Sequence, residues 1–301
     1  MIVDLTEKDI VRDWGRDVDP LVSICCITYN HEAFIEDALN GFLAQKTTFP
    51  FEIIIHDDAS NDRTAEIIRE YASRFPSIIK PILQVENVYQ HGGLIYPRFV
   101  FPRAKGKYIA ICEGDDYWVD QFKLKKQVEF LESNSEYVIT YADSTAVDIY
   151  GSKVSDFGGA RRDLTQEELQ KCTAIFSLTA CFRNIIHEIP QDLLSARYGD
   201  LVMWSLLGAH GKGKYIQDIK PSVYRVHEGG IFSKKSNVVK MKMALITWAA
   251  FFAYYSRKGD KSLANYFLDR MLISFFRVYS IKDLSLLIYN KIVSRIFGKR
   301  S

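Results

Sequence analysis

Three short polar turns, each closing an apolar run, hold the residues best suited to chemistry. Thr28-Tyr29-Asn30 follows Leu21 to Ile27, Asp57-Asp58 follows Glu52 to His56, and Glu113-Gly114-Asp115-Asp116 follows Tyr108 to Cys112. Clustered carboxylates repel one another and are costly to desolvate unless a cation or hydrogen-bond donors compensate them. Oxygen ligands of this kind suit Mg²⁺ or Mn²⁺, which bridge to substrate phosphates through one or two carboxylates and several waters. A nucleotide diphosphate is the natural companion of such a cluster. The chain has no G-x-x-x-x-G-K-[ST] segment and no G-x-G-x-x-G after its first apolar run, so the P-loop and dinucleotide readings lose ground.

For those turns to act together, the elements that carry them must share one edge. Leu21 to Ile27, Glu52 to His56, Tyr108 to Cys112 and Tyr137 to Tyr141 are near-continuous apolar runs, the pattern of strands buried on both faces of a parallel sheet. Between them, Phe34, Ile35, Ala38, Leu39, Phe42 and Leu43 recur at helical spacing. So do Ile67, Ile68, Tyr71, Ala72 and Phe75, and later Leu124, Val128 and Leu131. Strands alternating with helices predict an α/β fold, a mostly parallel sheet with helices on both faces. Ligands of such sheets bind beyond the carboxyl ends of the strands, where all three turns fall. Ser60, Asn61 or Asp62 is expected to cap the second helix, and Glu32 to favour the dipole of the first. Residues 151–175, with Gly158-Gly159 and Arg161-Arg162, read as a mobile loop.

The remaining composition sets limits. The 301 residues are 48% hydrophobic and 25% charged, enough to bury a large core. A net charge of +2 does not point to nucleic acid as a partner. Cys25, Cys26, Cys112, Cys172 and Cys181 show no C-x-x-C spacing and read as buried thiols in a reducing compartment. No signal peptide is visible, and the longest apolar stretch, Met243 to Tyr255, is about half the roughly 20 residues of a membrane span. The expected location is cytoplasmic, with peripheral contact on the inner face of a membrane through the helical, aromatic and basic C-terminal region. That region ends in Lys291, Arg295, Lys299 and Arg300.

Three runs carry a resemblance: Val22-Ser23-Ile24 through Thr28-Tyr29-Asn30; Phe51 through Asp57-Asp58-Ala59-Ser60-Asn61-Asp62-Arg63-Thr64; and Ala104-Lys105-Gly106-Lys107-Tyr108-Ile109 leading to Gly114-Asp115-Asp116. In order and spacing, over roughly residues 20 to 230, they resemble family 2 glycosyltransferases of the GT-A fold. The resemblance implies an inverting glycosyltransferase that uses Mn²⁺ or Mg²⁺, with a Rossmann-like GT-A domain at 20–235, an N-terminal extension at 1–19 and a helical tail at 236–301. It further implies a nucleotide-sugar donor and a glycan or lipid-linked oligosaccharide acceptor in surface polysaccharide synthesis of the O-antigen or capsule type.

Site roles follow from the same resemblance. Asp58 is similar to the aspartate that accepts a hydrogen bond from the base, with Thr28 and Asn30 near the nucleoside. Asp115 and Asp116 resemble the D-x-D element, Asp116 as the favoured metal ligand and Asp115 for ribose or the metal. Glu113 stands where an aspartate is common, which leaves open which oxygens reach the ion. Tyr198-Gly199-Asp200-Leu201-Val202-Met203-Trp204 resembles the element that bears the catalytic base, so Asp200 takes the acceptor proton. Ser222 to Gly230 resembles a donor-side loop, in which Arg225 meets the diphosphate, His227 the metal or diphosphate, and two glycines allow closure. No Gln-x-x-Arg-Trp motif marks a processive synthase. Two rivals stand beside this reading: a nucleotidyltransferase, and a noncatalytic partner-binding protein on the same fold.

Overall fold

The structure, a computed structural model, describes residues 5–15, 18–91, 94–230 and 235–279. Its strands are β1 (Val22–Thr28), β2 (Phe51–Asp57), β3 (Ile79–Leu83), β4 (Tyr108–Ile111), β5 (Tyr137–Tyr141), β6 (Ser144–Val147), β7 (Cys181–Arg183), β8 (Lys212–Tyr215) and β9 (Ser222–Arg225). Its α-helices are α1 (Glu7–Val11), α2 (Ile35–Leu43), α3 (Thr64–Arg74), α4 (Lys123–Ser133), α5 (Gln166–Gln170), α6 (Gly199–Gly208), α7 (Asn237–Lys258) and α8 (Lys261–Val278).

Seven strands form one sheet in the order β3-β2-β1-β4-β7-β5-β8, while β6 and β9 pair apart from it. All neighbours in the main sheet are parallel except β7, which runs antiparallel to β4 and to β5. Register sets Thr28 beside Asp57 and Cys25 beside Ile111, so β1, β2 and β4 deliver their turns to one edge. Pro81 sits in β3, at the sheet margin where a missing N–H breaks no ladder.

Alternation along β1 divides the core. Val22, Ile24 and Cys26 join the side chains of α2, α3 and α4 on one face. Cys25, with Ile54, Ile109 and Ile111, faces Phe101, Leu169, Met203 and Trp204 on the other, so helices cover both faces as the pattern predicts. Within residues 151–175, which the sequence predicts as a mobile loop, Arg161 pairs with Asp143 and Asp156, Arg162 pairs with Glu168, and α5 forms.

By its contacts the chain divides into two compact units. One takes the described residues up to Ile189 with those between Gly199 and Gly230; the other takes Pro190–Tyr198 with those from Lys235 on. The expected boundary at 235 is therefore not continuous, because residues 190–198 pack with α7: Arg197 N–H donates to Thr247 Oγ1 at 3.0 Å and Tyr198 Oη to the Lys240 carbonyl at 2.9 Å. Near the N-terminus, Trp14 stands edge-on to Phe51 with ring centroids 5.0 Å apart, and it packs with Leu5, Ile10 and Val11 against the first unit's core. Lys291, Arg295, Lys299 and Arg300 lie outside the described residues.

Candidate functional site

The first two turns are stitched to each other before they meet anything else. Asn30, at a left-handed φ of 55°, donates its N–H to Ser60 Oγ at 2.8 Å and accepts the Asn61 N–H on Oδ1 at 2.8 Å. Glu32 accepts the Arg63 N–H at 2.9 Å, which ties the first turn to the start of α3. Asp62 accepts the Thr64 N–H at 2.9 Å, the one of the three expected capping residues whose side chain binds the first turn of α3. The Asp58 N–H bonds the Thr28 carbonyl at 3.0 Å. Both Asp58 oxygens take backbone amides, Val88 at 2.8 Å and Tyr89 at 3.0 Å, which folds the loop after β3 against this end of the sheet. Thr28 Oγ1 is buried without a partner.

The third turn lies against the first through Gly114. A Cβ there would stand 2.8 Å from Thr28 Cβ and Oγ1, so only glycine permits the approach. From that turn the acidic side chains diverge. Asp116 points inward, accepting the Arg225 N–H at 2.8 Å; burial first, then the Asp115 and Glu113 charges, hold its carboxyl well above the usual range. Arg225 braces the same turn, donating to the Asp115 carbonyl at 3.1 Å and to the Asp37 carboxylate, its guanidinium over the Phe34 and Tyr117 rings.

Asp115 turns the other way, toward two imidazoles. His227 Nε2 lies 2.9 Å and His31 Nε2 3.7 Å from Asp115 Oδ2. Burial pushes the Asp115 carboxyl up, but the His227 hydrogen bond and the His31 ring outweigh it and leave the carboxyl below its usual value. Burial likewise holds the His31 ring below the usual histidine range, against the pull of Asp115, and its Nδ1 is buried without a partner. One nitrogen from each imidazole and one Asp115 oxygen lie within 4.8 Å of one another, a grouping of the kind that could hold one metal ion. Among the described residues this is the one such grouping of His, Cys, Asp or Glu. An imidazole that burial keeps neutral beside an ionised carboxylate and a second imidazole is a donor set that fits a divalent cation.

A second acidic pair adjoins it. Glu113 accepts from Ser177 Oγ at 3.0 Å, and burial, then the Asp115 charge, raise its carboxyl to about 7; Asp200 is near enough to push the same way. Asp200 stands in the first turn of α6, an otherwise apolar helix whose Val202, Met203, Trp204 and Leu207 are buried. Burial lifts the Asp200 carboxyl above the usual range, opposed by the backbone amides of the helix start.

The sequence and the fold are both matched by known proteins. A family model described as glycosyl transferase family 2 matches residues 23–189. The chain belongs to that family. Among its relatives is an uncharacterized protein of Mycobacterium tuberculosis, 37% identical over 217 residues, which are 70% of this chain and 60% of the relative. The chain thus spans 60% of that relative's length, less than two thirds. WfaP of Escherichia coli, a UDP-Glc:α-D-GlcNAc-diphosphoundecaprenol β-1,3-glucosyltransferase, is 28% identical over 73% of this chain and 86% of its own. The structure of S. aureus TarS 1–349 in complex with UDP-GlcNAc superposes with a TM-score of 0.59 at 20% identity, over 83% of this chain and 72% of that one, a likeness of fold. Family membership leaves the nucleotidyltransferase rival without support.

In this chain, Glu113, Asp115, Asp200 and His227 come together. Asp116 and Arg225 form the scaffold behind them, and Thr28, Asn30 and Asp58 knit the adjoining turns. His31 was not among the residues expected to act. Its only sequence signal is its place beside Asn30 in the first turn, where an imidazole is equally at home as a turn or surface residue.

Proposed function

We propose that this chain is a metal-dependent, inverting glycosyltransferase that moves a sugar from a nucleotide diphosphate to a hydroxyl of a glycan in surface polysaccharide assembly. The observation that carries the reading is the gathering of Asp115, His227 and His31 beside Glu113 and Asp200 at the carboxyl edge of the sheet. Asp115, His227 and His31 would hold the cation; when bound, a divalent ion neutralises charge on a departing diphosphate. The mixed nitrogen and oxygen donors favour Mn²⁺ over Mg²⁺, which prefers oxygen alone. Asp200 removes the acceptor proton as that oxygen attacks the anomeric carbon, and a single displacement inverts the configuration. Arg225 and Asp116 keep the acidic turn in place, and Asp58, Thr28 and Asn30 border the nucleoside.

WfaP's diphosphoundecaprenol substrate supports a lipid-linked acceptor here, which would bring the protein into peripheral contact with the inner face of a membrane. A thermal-shift panel of UDP, GDP, CDP and dTDP sugars, each with and without Mn²⁺, tests the reading. One base should raise Tm only with Mn²⁺, and Asp200→Asn should keep that shift while losing transfer. No metal-dependent shift with any donor would favour the noncatalytic alternative.

A further inference from the structure

Charge is divided unevenly along the chain. Residues 235–301 hold 13 of the 39 Lys and Arg but 3 of the 37 Asp and Glu, a net of +10 that leaves −8 on the preceding 234. The near-neutral total of +2 conceals this split.

Within the second unit, α7 and α8 form a hairpin. Gly259 ends α7 at a left-handed φ of 80°, and the Asp260 side chain caps α8 by accepting the Leu263 N–H. Next to this turn the packing is dense: the Phe267 ring stacks on Trp248, Phe251 and Tyr255 at centroid distances of 5.9, 4.6 and 5.6 Å, and all four side chains are buried.

Beyond the contact of Arg270 with the Trp248 ring, the pattern reverses. Val238, Val239, Ile246, Leu272, Ile273 and Phe276 are 39% to 62% exposed. They come from the first part of α7 and the last part of α8, which an antiparallel hairpin brings to the same end. Lys242 and Arg277 are exposed among them.

We infer that this open end of the hairpin docks on an anionic membrane surface, the apolar side chains entering the acyl boundary while Lys and Arg meet lipid headgroups. An acidic polysaccharide or a nucleic acid would use the cations and leave the apolar side chains in water; a lipid surface uses both. No described helix is long and apolar enough to cross a membrane, so the contact is peripheral. The inference rests on the lipid-linked acceptor for its purpose, while the surface itself stands on α7 and α8 alone.

Flotation of the full chain with phosphatidylcholine vesicles, with and without phosphatidylglycerol, tests it. Binding should require phosphatidylglycerol and weaken as salt rises, since each basic residue near such a surface strengthens adsorption about fivefold. Ile273→Ser with Phe276→Ser should lower partitioning about tenfold, leaving Tm and Mn²⁺-dependent nucleotide binding unchanged. Asp115→Ala should do the reverse, keeping vesicle binding and losing the nucleotide, which separates a failure of docking from a failure of the catalytic reading. Absence of binding to phosphatidylglycerol vesicles, or binding that the double serine variant leaves intact, overturns the inference; the second result is what a purely electrostatic partner site would give.

Discussion

Asp200 has the environment a general base needs. Burial lifts its carboxyl above the usual carboxylate range, and the Glu113 carboxyl beside it titrates near 7. A raised value means that the proton leaves only at higher pH, so activity should climb on the acid side at a pH above that of a free aspartate. The kcat/KM profile of the wild type checks this, and a plateau reaching down to pH 4 would contradict it. Asp200→Asn should lower kcat by roughly 10²- to 10⁴-fold with donor KM little changed. At this scale the sequence is a partial guide. Its resemblance to a family offers Asp200, Asp115 and His227 as candidates, each at or near an element end. It does not say which way a side chain turns from a shared loop. Asp115 and Asp116 are adjacent and identical in chemistry, yet the first meets the two imidazoles and the second is buried against the Arg225 amide. His31 becomes visible only when β1 and β4 lie side by side, since nothing local links it to Asp115.

At the scale of elements, legibility follows burial and length. β1, β2, β4 and β5 are runs of four to seven residues in which nearly every position is buried, and such runs are plain in the sequence. β7 is three residues long and lies antiparallel between β4 and β5, too short for any periodicity. β9 reads as loop because its partner β6 lies far away in sequence. Two element-level predictions follow from packing. Gly114→Ala should force the acidic turn away from β1, weakening metal and donor binding more than it lowers Tm; equal binding would show that Thr28 can give way. The second concerns Lys123, wholly buried in α4, 2.8 Å from Gln127 Oε1 and over the Trp118 ring. Burial pulls its ammonium down to about 8, outweighing the opposing pull of Cys181, Cys112 and Asp120. Between that value and the ordinary lysine range the unfolded chain holds more protons, so stability should rise with pH through this window and be most penalised below it. Urea unfolding at pH 7 and pH 10 should find that the stability of Lys123→Met relative to wild type falls by roughly 2 to 3 kcal/mol. A pH-independent difference would contradict this burial account.

Over the whole molecule, composition speaks to class and the contacts to organisation. The five cysteines are buried, and burial raises the thiols of Cys25, Cys26, Cys112 and Cys181. Because the thiolate is the reactive form, Ellman's reagent should find essentially no thiol in the folded protein and all five in guanidinium; prompt native labelling would contradict the packing. The net charge is a poor guide here, since a mean of two opposite regions says nothing of either. The division into units was equally hidden: residues 190–198 carry no composition break, and only their bonds to α7 assign them. The central claim remains local, that Asp115, His227 and His31 form one cation site for a nucleotide diphosphate. Electron paramagnetic resonance of free Mn²⁺, titrated with protein in the presence of the diphosphate chosen by the donor panel, tests it most directly. One bound ion per chain is expected for the wild type, none for Asp115→Ala, and affinity at least about tenfold weaker for His31→Ala and His227→Ala. Mn²⁺ binding undiminished in Asp115→Ala would contradict the account.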